Sequence, residues 1–244
     1  METKEKAKTK NIILQDRDYG VLRYILEQKF MSREQIEKWF YKSQDISRNR
    51  LWKLIFSKYI KKEHVALSSK DHFLITTLGL MALAERGVNS IRPAKSIDIR
   101  FYYHNKTLTD IRLLFENIGL ARNWKTERTL KSEGGFEVIL KSKGDDRIKV
   151  PDGVFLSPAG KRIAFELELA PKENSRYKKI LAGYQNVDRV FYVVRGEALF
   201  NRLRGLMTNK MLISRLEDIE KDALSAEVFW GNQKTTIKEL IDAR

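Results

Sequence analysis

Near residue 90 the hydrophobic period of this chain changes, and that change constrains the fold more than any other feature. Up to about residue 88, apolar residues recur at three- and four-residue spacing, which puts them on one stripe of a helix. Beyond about residue 100 several stretches alternate every second residue, as strands do. All four prolines (Pro93, Pro151, Pro158 and Pro171) lie beyond residue 92. With 244 residues in all, the chain suits two modest domains. The reading is a basic tail at 1–14, a helix-rich domain at 15–90, a linker at about 88–100, and a mixed α/β domain at 100–244.

The first domain reads as three helices, a hairpin and a closing helix. Val21, Leu22, Ile25 and Leu26 form the stripe of helix one. Ser32-Arg33-Glu34-Gln35 has the spacing of a capping box, in which Ser and Gln each satisfy an orphan backbone donor, and it opens helix two. Helix three is expected from Gln44 to Tyr59 on Leu51, Leu54 and Ile55. Strands at Ile60–Leu67 and His72–Thr76 follow, joined at Ser68-Ser69-Lys70-Asp71, and a helix at Leu78–Arg86 ends the unit. Helices and hairpin in this order describe a winged helix-turn-helix. Such a fold lays its third helix in the major groove of duplex DNA and its wing against the backbone. The DNA-contact candidates are Ser47, Arg48, Asn49, Arg50 and Lys53 on helix three, and Lys61, Lys62 and Lys70 on the wing.

Charge supports a polyanionic partner. The chain carries 47 Lys+Arg against 32 Asp+Glu, net +15. Residues 1–95 hold net +9 of this and the longer remainder net +6, so the excess is densest on the expected winged helix. The apolar share, 42%, is enough for a packed core. There is no cysteine, which excludes disulfides, thiolate metal sites and cysteine nucleophiles. No apolar run approaches the length of a bilayer span, and Ile12-Ile13-Leu14 is too short for a signal-peptide core. No Gly-rich phosphate loop is present. The expectation is a cytoplasmic protein with no membrane partner and no small-molecule substrate.

The second domain contains one chemically pointed pattern. In Ala164–Leu169 the alternation sets Glu166 and Glu168 on one face of a strand, where like charges repel. Asp152 joins them if the two strands form a hairpin around Pro158-Ala159-Gly160. Three converging carboxylates suit a hard divalent ion, Mg²⁺ or Mn²⁺, able to activate water for phosphodiester hydrolysis. A solvated edge strand with Lys161 and Arg162 as counter-charges explains the same spacing. Glu127, expected on a neighbouring strand, is a further acidic candidate.

Pro151-Asp152, then Glu166-Leu167-Glu168 and a following helix, resemble the PD-(D/E)xK nuclease superfamily. The resemblance implies that Asp152 and Glu166 bind metal and that a lysine positions water. Glu168 stands where that lysine is usual, and Lys178 or Lys179 on the next helix is the replacement it suggests, with Asp152, Glu166, Glu168 and Lys179 as the catalytic set. Over residues 15–195 the chain is similar to the replication-relaxation family of mobile-element proteins. The segments that carry this are Arg48-Asn49-Arg50-Leu51, Phe73 to Gly79, His104 with Asp110-Ile111-Arg112, Trp124 to Glu127, Pro151-Asp152, Phe165 to Glu168, and Lys179 with Tyr184. This resemblance implies a winged helix followed by a restriction-endonuclease-like domain, acting on plasmid or mobile-element DNA.

The leading expectation is therefore a duplex-DNA-binding accessory or regulatory factor in plasmid replication or relaxation. A metal-dependent endonuclease or nickase is the second reading. A protein–protein adaptor, forming a homodimer or docking a partner through a retired nuclease fold, is the third.

Overall fold

The computed structural model describes residues 12–88, 91–134, 138–139, 148–184 and 186–243, with backbone alone at 138, 139, 148, 149, 179 and 182. Most of the basic tail and much of the strand expected at Phe136–Leu140 lie outside the described residues. The class is α+β, and the chain divides into two compact units that meet between residues 106 and 107. Among the described residues, no helix is long and apolar enough to cross a membrane.

In the first unit the order is α1 (Asp16–Gln28), β1 (Met31–Ser32), α2 (Arg33–Phe40), α3 (Gln44–Phe56), β2 (Ile60–Glu63), β3 (His72–Ile75) and α4 (Thr77–Ala84). Each helix start has a local cause. The Ser32 hydroxyl accepts from the Gln35 N–H at 3.3 Å, and the Gln35 side chain accepts from the Ser32 N–H at 3.0 Å. Ser43 and Thr76 cap α3 and α4 in the same way, through the N–H groups of Ile46 and Gly79. Val21, Leu22, Ile25 and Leu26 of α1 are wholly buried, together with Ile36 of α2 and Leu54 of α3. The three strands run antiparallel in the order β1-β3-β2, with Ile60 opposite Ile75 and Glu63 opposite His72. The hairpin is shorter than its sequence suggests, because Arg33 and Lys62 both clamp Asp71, at 2.5 and 2.6 Å, where the chain turns back. Gly79 is obligatory: a Cβ there would stand 2.2 Å from the Tyr59 carbonyl oxygen.

The segment expected as a linker is packed down. Ile91 is buried, the Lys61 ammonium donates to the Lys95 carbonyl at 2.9 Å, and Ala94 and Ile97 cover a cluster of Phe30, Val65, Leu74 and Tyr102. Its apolar residues serve tertiary packing, which has no period. A 3-10 turn (Ile99–Phe101) then leads into α5 (Tyr102–Asn117), within which the unit boundary falls.

The second unit is a seven-stranded sheet ordered β12-β11-β10-β9-β8-β7-β4 with helices on both faces. Its elements are β4 (Arg122–Thr126), α6 (Glu127–Glu133), β5 (Val138–Ile139), β6 (Ile148–Lys149), β7 (Gly153–Leu156), β8 (Arg162–Glu168), α7 (Asn174–Gly183), β9 (Arg189–Val194), α8 (Glu197–Arg204), β10 (Met211–Arg215), α9 (Leu216–Lys221), β11 (Glu227–Trp230), β12 (Gln233–Thr236) and α10 (Ile237–Asp242). β5 and β6 pair only with each other. Strands β8, β9 and β10 are parallel, and the outer pairings are antiparallel. Ile163, Phe165 and Leu167 of β8 join α5, α9 and α10 in one core, and Ala164 joins α7 and α8 in the other. Residues 122–130 read in sequence as one extended segment, but the strand stops at Thr126, whose hydroxyl accepts from the Thr129 N–H at 3.2 Å and starts α6. Gly153 is fixed by the Trp124 indole, 2.5 Å from where a Cβ would stand.

Candidate functional site

Helix α3 packs through Leu51 and Leu54 and turns Arg48, Asn49 and Lys53 to solvent. Asn49 and Lys53 are one turn apart and line a groove of about 300 Å³ with Gln15, Arg17, Tyr41, Ile46 and Arg50. Arg48 is exposed, with Asp45 2.7 Å away. On the hairpin, Lys61, Lys62 and Lys70 are also exposed. Their partners are the Lys95 carbonyl, Asp71 and, at 3.8 Å, Glu34. Exposed ion pairs of this kind contribute about 0–1 kcal/mol, so a phosphate can displace them.

Two expected contacts do not face outward. Ser47 is fully buried, and among the described residues its hydroxyl has no hydrogen-bond partner. The helical stripe puts it beside Leu51 and Leu54, on the packed side. Arg50 is turned inward to Asp18, which is 1% exposed: its Nε donates to the carboxylate at 2.9 Å, its Nη2 makes a second bond there, and Nη2 also donates to the Ile13 carbonyl at 2.7 Å. The hydrogen bond to Asp18 pushes the guanidinium pKa up. Arg50 therefore ties α3 to α1. Burial, with the Asp18 charge adding to it, raises the neighbouring Tyr41 phenol to about 12.

In the second unit the hairpin around Pro158–Gly160 forms. Gly153 pairs with Phe165, so one further step of the same register sets Asp152 opposite Glu166. β8 is an inner strand, flanked by β7 and β9, which removes the solvated-edge explanation. Glu166 and Glu168 are each 2% exposed, on the face that otherwise packs Ala164, Tyr177, Ile180 and Val194. Two carboxylates on an apolar face are costly unless hydrogen-bonded or paired. The Tyr184 hydroxyl donates to Glu166, the Lys172 ammonium sits on Glu168, and the Leu167 N–H donates to Asp152 at 2.8 Å. Tyr177 accepts the Lys172 backbone N–H at 3.0 Å, which fixes the loop that carries that ammonium.

Tyr192, beside Glu166 on β9, is the anomaly. Its hydroxyl is buried without a hydrogen-bond partner among the described residues. Burial holds its pKa well above the usual phenol value, and the charges of Glu166, Glu168 and Asp152 push the same way. The three carboxylates do not gather as ligands: no group of three Asp, Glu or His among the described residues is placed to hold a metal ion. With the Lys172 ammonium already on Glu168, a divalent ion would have to displace it to be held there.

The Lys179 side chain lies outside the described residues. Lys178 is exposed on α7, and His104 is half-buried on α5. Glu127 begins α6, paired with Lys131 at 2.5 Å, instead of lying on a strand. Sequence reading missed Lys172 and Tyr192. The only signals were a lysine four residues past Glu168 and one hydroxyl inside the apolar run Val190–Val194. Compared with protein-family models, curated proteins and solved structures, the chain matches none.

Proposed function

We propose that this chain is a DNA-binding protein whose first unit works as a winged helix, with α3 entering the major groove and the β2–β3 hairpin lying against the backbone. The observation that carries the reading is the outward set Arg48, Asn49 and Lys53 on α3 of a chain with net charge +15. Asn can pair with adenine in the groove, while Arg48, Lys53 and the hairpin lysines neutralise phosphate. The biological setting we propose, an accessory or regulatory role in plasmid or mobile-element replication or relaxation, rests on the resemblance in segment order. Titrating a labelled duplex at low ionic strength tests the binding. Wild type should bind, and a combined Arg48→Ala, Lys53→Ala variant should bind at least tenfold more weakly. Absence of duplex binding by wild type would sink the proposal.

A Mg²⁺- or Mn²⁺-dependent endonuclease with a restriction-endonuclease-like second unit is the second reading. Its favouring observation is the hairpin register that sets Asp152 opposite the buried Glu166. The engaged carboxylates make it the weaker of the two. Supercoiled plasmid incubated with Mn²⁺ separates them. Nicking by wild type that Asp152→Ala abolishes establishes the enzyme, whereas plasmid left equally intact by both leaves binding as the function.

A further inference from the structure

The outward side of α3 holds two large aromatic side chains that a groove-reading helix does not need. Trp52 is 60% exposed and Phe56 52% exposed, and their rings are stacked with centroids 5.1 Å apart and planes within 13°. Asn49 and Lys53 lie three residues before each of them, and Arg48 lies one turn before Trp52, so the stack and the polar contacts form one continuous surface. The single acid of α3, Asp45, is already paired with Arg48. The patch is therefore aromatic and cationic together.

Intact duplex DNA is a poor match for such a stack. In the major groove, bases present edges that are read by hydrogen bonds, and their flat faces are hidden between neighbouring pairs. Aromatic rings beside cations instead suit unpaired nucleotides, whose bases stack on the rings while the backbone meets the charges. We infer that the Trp52–Phe56 stack is a platform for unpaired bases, so that the preferred ligand is duplex DNA interrupted by a melted stretch. This rests on the reading of α3 as the DNA-binding helix. Arg48 and Lys53 hold the backbone, and Trp52 takes a base that has left the duplex.

Fluorescence anisotropy on one sequence prepared as a full duplex and as a duplex with a central bubble tests this. Wild type should favour the bubble by about tenfold. Trp52→Ala and Phe56→Ala should each remove most of that preference while leaving duplex affinity within about twofold, and Trp52→Phe should restore part of it. Both side chains are exposed, so the fold survives, which circular dichroism checks. Equal affinity of wild type for the two DNAs overturns the inference and leaves duplex binding standing. Absence of binding to either overturns both. Sedimentation adds one more outcome: a dimer that Trp52→Ala dissociates would make the stack a contact between copies of the chain and overturn the assignment to bases.

Discussion

In the first unit the Asp18 carboxylate is sealed to 1% exposure with a guanidinium on it, as Glu27 is at 4%, whereas in the second two carboxylates, Glu166 and Glu168, are sealed side by side at 2% each on one strand. The Asp18–Arg50 pair joins two helices across 32 residues of sequence and is a structural fastening. Its cost is the loss of a cation that looks, in sequence, like part of the reading face. The Glu166–Glu168 pair fastens less. It engages the Lys172 ammonium and the Tyr184 hydroxyl for carboxylates that an apolar pair would not present, and among the described residues the Tyr192 hydroxyl still has no hydrogen-bond partner. A buried opposite-charge pair is explained by the fold. Buried like charges on an inner strand are not explained by the fold in that way.

Perturbing these groups sharpens the contrast. The largest expected effect is from Arg50→Ala, which strands the buried Asp18 charge and should cost about 3–5 kcal/mol in urea unfolding. Arg50→Ala should then lower DNA affinity only through loss of fold, and Asp18→Asn made with it should recover part of the stability. Lys172→Ala removes the ammonium from Glu168. Because Lys172 is about a quarter exposed, the expected loss is smaller, about 1–2 kcal/mol. The next change has the opposite sign. Tyr192→Phe deletes an unpartnered hydroxyl and should raise stability by about 1 kcal/mol; an unchanged or lower value would mean that the hydroxyl has a partner in solution.

The last effect is confined to alkaline pH. Burial raises the folded-state pKa of Tyr41 to about 12, above the ordinary phenol value of about 10, so the unfolded chain releases this proton first. Its contribution is complete below pH 10 and is lost as pH rises through 12. Tyr41→Phe should flatten that part of the stability profile. A profile identical to wild type would contradict the buried phenol.

What sequence could foresee follows from the range of each interaction. The Ser32–Gln35 box, the α1 stripe and the hairpin that brings Asp152 toward Glu166 depend on residues a few positions apart, or on one short turn, and these are legible. Arg50 is not, because its partner Asp18 lies on another helix and period alone leaves it near the outward side. Ser47 is legible after all, since its own stripe places it with Leu51 and Leu54. Glu127 fell on a helix because Thr126 caps as well as it extends. Burial of Glu166 and Glu168 depends on β9 and α7 covering both sides of β8, which no local pattern reports. The alternation showed that the two shared a face, and packing alone could say that the face is closed.

The central proposal, DNA binding through the outward face of α3, is tested most directly by the salt dependence of duplex binding for wild type and Lys53→Ala. Because each neutralised phosphate releases counterions, the logarithm of the wild-type association constant should fall steeply and linearly with the logarithm of salt concentration. Lys53→Ala should make that slope shallower by about one. Binding that is insensitive to salt, or a slope that Lys53→Ala leaves unchanged, would contradict it.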